Sequence, residues 1–360
     1  MTEAILLVGG QGTRLRPLTI HAPKPMLPVA GVPCTEHQIA RARDAGVTRI
    51  VLGTSYKPEV FSDYFGDGAD FGVELVYAVE DHPLGTGGAI RHAAEHLTSG
   101  PDEPVLVFNG DVLTGVDLTG LLAEHARVAA DVSLYLTRVA DPRAFGLVPT
   151  DAQGRVTAFL EKPSTPAEIV TDQINAGCYV FRRGVIDRIP AGRPVSVERE
   201  TFPELLAAGA RLQGVVDEGY WLDLGTPLAF VTGSADLVTG RAPSPAVPGP
   251  RGEFLVLIGA SVSPDAVLAG GTVVGAGASV AAGARVVGSV LFDGAIVCAD
   301  AVVRDSVVGS GAVIGAGATL DGVVVGDRAM IGPGNELTHG ARVWPGMALG
   351  ETAVRFSSDR

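Results

Sequence analysis

The chain is 360 residues long, room for two domains, and carries a formal net charge of −13. That balance excludes non-specific attraction to nucleic acid or to an anionic membrane surface, so a polyanionic ligand must be met by a few placed cations. Cys34, Cys178 and Cys298 are widely spaced, with no CxxC pair and no Cys/His cluster, which excludes a disulfide framework and a zinc site.

The N-terminus carries Glu3 and no basic run, so no signal peptide is expected. The most apolar stretch, Ala269 to Phe292, is broken by Arg285 and by glycines and does not read as a membrane span. A cytoplasmic protein is expected.

The first expected strand is Ala4 to Val8. It breaks into Gly9-Gly10-Gln11-Gly12-Thr13-Arg14 and runs on to Lys24, set between Pro23 and Pro25. A buried strand followed by a glycine turn brings backbone N–H groups close to phosphate oxygens, and Arg14 and Lys24 add positive charge there. No Gly-Lys-Ser/Thr follows and Leu15 replaces a third glycine, so the turn is neither a P-loop nor a dinucleotide fingerprint. The glycines alone fit a phosphate cradle or a plain tight turn.

The sequence has three lysines, Lys24, Lys57 and Lys162, each preceding proline and so expected in extended backbone. Where lysine is this scarce each one asks for a reason; Lys57 reads as a solvated loop residue.

A helix is expected over Thr35 to Ala45, with Thr35 and Gln38 at capping-box spacing and Gly46 at its stop. Next come a strand from Arg49 to Gly53, a short helix from Pro58 to Phe65 and a strand from Glu74 to Val79. A second glycine loop, Glu80 to Gly88, leads into a helix from Ala89 to Leu97. The strand Val105 to Phe108 ends in Asn109-Gly110-Asp111. An Asp just past a buried strand suits Mg²⁺ on a triphosphate, because hard oxygen donors fit that ion and the substrate supplies the other ligands; the same triplet also fits a simple turn.

A helix over Leu118 to Ala129 and a strand over Asp131 to Arg138 precede a hairpin, Phe145 to Val148 against Val156 to Leu160, closed by Glu161-Lys162-Pro163. Asn175 opens a strand that continues over Cys178 to Phe181; it offers both a donor and an acceptor. A helix over Val197 to Ala208 presents Glu198, Glu200 and Glu204 as a solvated face. Tyr220 to Pro227 leads into a closing helix that ends at Thr239. Alternating strands and helices predict an α/β, Rossmann-like doubly wound mixed sheet over residues 1–240, with ligands at the carboxyl ends of its strands.

Residues 241–252, RAPSPAVPGPRG, read as a semi-rigid linker. Beyond it branched aliphatics recur every six residues from Val262 to Val286, and the step shortens to five before Leu291, Val308 and Val325. A short fixed period predicts a solenoid whose coils stack on one aliphatic column. This domain is expected over 253–348, with Trp344 and Pro345 closing it and 349–360 as a tail.

The string GG-x-GTRLRPLT with PKPMLPV resembles the signature of the sugar-1-phosphate nucleotidyltransferases, and the six-residue rhythm resembles the hexapeptide left-handed parallel β-helix, of about five coils here. The family resemblance covers essentially the whole chain. It implies that Leu7, Gly9, Gly10, Gly12, Thr13, Arg14, Lys24 and Asn109 surround a nucleoside triphosphate, with Arg14 and Lys24 holding its phosphates. It implies that Pro83-Leu84-Gly85-Thr86 contacts the base.

Guanine offers two adjacent donors that a carboxylate such as Glu80 could accept, although Glu80 also fits a solvated strand end. The Glu-Lys-Pro triplet resembles the family's sugar-phosphate site, which implies Lys162 on the phosphate, Glu161 and Asn175 on sugar hydroxyls, and Gly146 admitting the sugar. Trp221-x-Asp223-x-Gly225-Thr226-Pro227 matches the family's second metal aspartate, so Asp111 and Asp223 are the expected Mg²⁺ ligands, with Mn²⁺ as a substitute.

The implied reaction is nucleotidyl transfer to a sugar phosphate, with GTP and mannose 1-phosphate the favoured pair and Arg14, Lys24 and Lys162 the catalytic residues. Glucose 1-phosphate with a thymidylyl, uridylyl or adenylyl donor remains open, as does a non-catalytic nucleotide-sugar sensor. The latter is disfavoured because Lys24, Asp111, Lys162 and Asp223 are all present. A homo-oligomer, assembled through the β-helix, is expected. A separate acyltransferase activity there is not, because His339 is the one histidine in the repeat.

Overall fold

A computed structural model of the chain describes residues 2–163, 165–247 and 252–355. The chain forms two compact units: Met1–Gly10 with Gln38–Trp221, and Gln11–His37 with Leu222–Arg360. The segment bearing Arg14 and Lys24 therefore groups with the C-terminal part of the chain rather than with the sheet that precedes it.

The first unit is built on a nine-stranded mixed sheet. Its strands are β1 (Thr2–Leu7), β2 (Val47–Thr54), β3 (Glu74–Val79), β4 (Pro104–Asn109), β5 (Val132–Arg138), β6 (Gly146–Leu147), β7 (Leu160–Glu161), β8 (Gln173–Arg182) and β9 (Leu212–Val216). The order β7-β6-β8-β4-β1-β2-β3 has β5 and then β9 branching beside β8. β1 is parallel to both β2 and β4, with Leu7 opposite Gly53 and Asn109, while β8 runs antiparallel to β4 and β5. Long aliphatic runs suit a sheet covered on both faces, and Ile5, Val51, Val107, Leu134, Tyr179 and Phe181 are fully or nearly fully buried in one cluster.

The helices are α1 (Cys34–Asp44), α2 (Pro58–Phe65), α3 (Gly85–Ala93), α4 (Leu118–Arg127), α5 (Arg183–Ile186), α6 (Phe202–Ala207) and α7 (Pro227–Thr239). Several differ from the sequence expectation. The capping box does not form: the Thr35 hydroxyl donates to the Pro25 carbonyl and the Gln38 amide to the Val112 carbonyl, because burial gives both side chains tertiary partners. α3 starts four residues earlier than the apolar pattern suggests and finishes in a 3-10 turn, Ala94–His96.

The helix expected from Val197 opens instead as a π-turn, Val197–Thr201. Two of its three glutamates are engaged rather than solvated: Glu198 accepts from the Thr86 and Ser196 hydroxyls, each at 2.8 Å, and Glu200 accepts from the Ser196 N–H and from Arg193; Glu204 is exposed, as expected. The lysines are not extended either. Lys57 and Lys162 both sit at φ 51°, and Lys24 begins a 3-10 turn, Lys24–Met26. Proline disfavours the right-handed helical region for the residue before it; Lys57 and Lys162 avoid that region in the left-handed well, whereas Lys24 enters it at the start of its turn.

In the second unit three parallel sheets of six, six and five strands form a left-handed β-helix. Val280, Val297, Ile314 and Ile331 pair in register at 17-residue intervals and are buried, as the shortened step requires. Where the step shortens, Ser289 and Ser306 stand in column with Thr272 and are buried with it. Each hydroxyl accepts an N–H from the next coil, at 3.4, 3.1 and 2.9 Å. A backbone donor turned inward at a tightened corner needs a buried acceptor, and a short hydroxyl side chain provides one.

Near the end of the solenoid Trp344 is 47% exposed, and buried Asn335 joins successive segments, accepting from the Val354 N–H at 2.7 Å and donating to the Gly332 and Gly350 carbonyls. Part of the proline-rich stretch, residues 248–251, lies outside the described residues; within the rest, Ser244 is buried against His37 at 2.6 Å.

Candidate functional site

In the second unit Gly12 occupies the left-handed region at φ 56°, and a Cβ there would meet Lys24 Cβ at 2.8 Å. Glycine is needed on both counts, since it turns the chain and lets Lys24 lie against the turn. Thr19 fixes that turn by donating its hydroxyl to the Gly12 carbonyl at 2.9 Å. Lys24 is 9% exposed, and its Nζ lies 3.2 Å from Asp223 Oδ1. Arg14, 67% exposed, places Nη2 at 3.8 Å from Asp223 Oδ2. A Cβ on Gly225 would meet Arg14 Nη2 at 2.5 Å and Asp223 Oδ1 at 3.0 Å, so the glycine of the Trp-x-Asp-x-Gly string keeps the arginine beside the carboxylate.

Two cations of one segment and a carboxylate far along the chain thus form one charged cluster. Both oxygens of Asp223 face cations. They are hard anionic donors of the kind Mg²⁺ or Mn²⁺ takes, so the carboxylate fits the expected metal role.

In the first unit Gly9 and Gly10 leave β1, and Gly10 has φ 109°. Leu7 and Asn109 are register partners at the ends of β1 and β4, with Asp111 two residues further on. In the loop between β3 and α3, Glu80 is buried and accepts the Leu84 N–H at 2.8 Å through Oε2. This ties down the start of α3, and Gly85 lies against the Val195 backbone. Thr86 is committed inward: its hydroxyl donates to Glu198 and accepts the Val197 N–H at 2.9 Å. The structure therefore gives Thr86 the work of joining α3 to the π-turn.

The Gly146, Glu161 and Lys162 group forms as a short antiparallel pair, with Glu161 opposite Gly146. A Cβ on Gly146 would meet Glu161 Oε2 at 2.6 Å, so this glycine makes room for the glutamate. Burial raises the Glu161 carboxyl above the usual range, the Glu198 charge adds to that, and Lys162 and Arg199 oppose it. Lys162 is 60% exposed, with Nζ 3.8 Å from Glu161. Its left-handed backbone is a strained conformation of the sort that collects at ligand sites.

Asn175 is turned inward, donating to Tyr179 Oη at 2.7 Å and accepting the Gly177 N–H at 3.1 Å. Trp221 donates to the Ala176 carbonyl at 2.9 Å and meets Phe145 edge-on. Sequence reading gave no separate role to Thr19 or Gly225 and placed Glu198 in solvent. Thr19 and Gly225 each stood inside a recognised string, but nothing local marked Glu198 as the partner of Thr86.

A glycine turn bearing Arg14, a carboxylate held by lysine and arginine, and a separate Glu-Lys hairpin are the kinds of group that phosphorylated ligands require. The nucleotidyl transferase family model matches residues 3–240, and the chain belongs to that family; a second model, the GMPPB C-terminal domain, matches residues 251–356. The chain is therefore an enzyme of nucleotidyl transfer, and its family generally uses a divalent metal.

Among relatives, it is 60% identical to a mannose-1-phosphate guanylyltransferase of Mycobacterium tuberculosis, over 99% of this chain and 98% of that one. It is 35% identical to mannose-1-phosphate guanylyltransferase 1 of Arabidopsis thaliana, over 76% and 78% respectively. A solved structure, HddC from Yersinia pseudotuberculosis complexed with GMP-PN, is similar at TM-score 0.56 and 26% identity, covering 66% of this chain and all of that one. Among the described residues no helix is long and apolar enough to cross a membrane.

Proposed function

We propose that the chain transfers a guanylyl group from GTP to α-mannose 1-phosphate, giving GDP-mannose and pyrophosphate. The observation that carries this reading is the 60% identity, over nearly the full length of both chains, to the Mycobacterium tuberculosis mannose-1-phosphate guanylyltransferase. An oxygen of the sugar phosphate attacks the α-phosphorus in line. The new P–O bond forms as the bond to the bridging oxygen breaks, and pyrophosphate leaves with that electron pair. The attacking group is already an anion, so no base is required, and catalysis rests on positioning and charge neutralisation.

In this reading Arg14 and Lys24 hold the triphosphate and the leaving pyrophosphate. Lys162 holds the sugar phosphate and offsets its repulsion from the nucleotide, and Glu161 accepts from sugar hydroxyls. Glu80, with Oε2 committed to Leu84, reads guanine through its other oxygen. Asp111 and Asp223 are the carboxylates that would hold Mg²⁺, with Mn²⁺ as a substitute; the bound ion supplies charge neutralisation on the phosphates. The chain assembles as a homo-oligomer through its β-helix, which size-exclusion with light scattering would test.

The test of the reaction is pyrophosphate release with GTP, ATP, UTP, CTP or dTTP against mannose 1-phosphate or glucose 1-phosphate, with and without the divalent ion. Metal-dependent turnover, best with GTP and mannose 1-phosphate, is expected. A clear preference for another pair overturns the substrate assignment, and no turnover with any pair overturns the transfer reading in favour of a nucleotide-sugar sensor.

A further inference from the structure

The segment carrying Arg14 and Lys24 is bonded at several points to residues far along the chain, all within the second unit. The Ala30 N–H donates to Ser234 Oγ at 3.0 Å. His37 bridges Ser244 Oγ, at 2.6 Å, and the Val29 carbonyl, at 3.0 Å. A Cβ on Gly31 would meet Leu257 Cδ1 at 2.8 Å. These contacts hold the far end of the segment. At the phosphate end the contact comes from the β-helix itself: Arg342, on the last rung of its first sheet, donates from Nη1 to the Arg16 carbonyl at 2.6 Å.

That carbonyl belongs to the residue closing the single turn Thr13–Leu15, in which the Arg16 N–H bonds back to the Thr13 carbonyl at 3.2 Å. Arg14 lies in the middle of this turn. A three-residue 3-10 turn has little intrinsic stability. Its hold on the Arg14 guanidinium, itself only 3.8 Å from Asp223, depends on what pins its ends. Thr19 pins the Gly12 end and Arg342 the Arg16 end. A charged donor on a carbonyl is a stronger tether than a neutral one.

We propose that Arg342 is a positioning residue for the nucleotide: the β-helix fixes the Thr13–Arg16 turn through it and so sets where Arg14 meets the triphosphate. The β-helix then forms part of the nucleotide-holding machinery. This inference rests on the reading of Arg14 as a triphosphate ligand.

The experiment compares the full-length chain with Arg342→Ala, Arg342→Lys and the control Arg285→Ala, an exposed arginine on another face of the β-helix. Steady-state kinetics are run in each substrate separately, with GTP binding followed by titration calorimetry and melting temperature recorded. Arg342→Ala is expected to raise KM and Kd for GTP about tenfold, leaving KM for mannose 1-phosphate and the melting temperature unchanged. Arg342→Lys, which can still donate to the same carbonyl, recovers most of the affinity, and Arg285→Ala matches the unmodified chain.

A GTP KM within twofold of the unmodified value in Arg342→Ala overturns the proposal. So does an equal loss for both substrates accompanied by a lower melting temperature, which marks a structural role alone. If the unmodified chain neither binds nor turns over GTP, the parent reading falls and takes this inference with it; if it does both and only the Arg342 variants behave as wild type, the parent reading stands.

Discussion

The mixed sheet and the β-helix solve the same burial problem in opposite ways. The sheet relies on polar partners used once. Burial pushes the Glu3 carboxyl up, but donors from Ser99 and Thr98 outweigh that and hold it near a pKa of about 2; Tyr179 accepts from Asn175, and Trp221 donates to Ala176. The β-helix repeats one aliphatic rung and one inward hydroxyl at 17-residue intervals. A repeated contact makes stability local and roughly additive, whereas unrepeated contacts fix individual atoms. Chemistry requires the latter. Even in the unit that contains the β-helix, the charged cluster comes from Arg14, Lys24 and Asp223, outside the repeat.

The largest expected effect that sharpens this contrast is on turnover. Lys24→Ala should lower kcat/KM for GTP by at least about a hundredfold, roughly 3 kcal/mol of barrier, with the melting temperature little changed. Leu320→Ala, in the fully buried column, should do the reverse. It should cost about 3 kcal/mol in denaturant unfolding while turnover at low temperature persists. Loss of activity in step with stability there would break the division between the two regions.

Gly225→Ala brings a Cβ to 2.5 Å from Arg14, so about a tenfold loss in kcat/KM for GTP is expected without a stability change. Because burial raises the Glu161 carboxyl, KM for the sugar phosphate should climb on acidification from a pH above the usual carboxylate value of about 4.3. Glu161→Gln should abolish that limb. The smallest effect concerns Glu3. Its folded pKa lies below the unfolded value, so the stability it gives is complete above about pH 4.5 and is lost as pH falls towards about 2. Glu3→Gln should flatten the urea-unfolding free energy across that window.

Much of this was legible in the residues themselves. The solenoid period fixes which side chains face inward, because a parallel coil returns each residue to the same column. The glycine turn after β1 and the paired Glu161 and Lys162 are local features, set by backbone sterics and by neighbours in sequence. Where side chains had distant partners the local rules failed: Gln38 left its cap for Val112, and Glu198 left solvent for Thr86. A short-range pattern carries no information about a hydrogen-bond partner more than seventy residues away.

The sequence by itself determined the two kinds of architecture, the family and the types of residue available for phosphate chemistry, since these follow from periodicity and from contiguous motifs. Only the tertiary structure decided that Lys24 lies on Asp223, 199 residues away. It also decided that Thr86 and Asn175 are turned inward and that Arg342 reaches the turn bearing Arg14. Those pairings depend on which buried donors and acceptors meet once the chain is compact, and burial makes leaving any of them unmet costly.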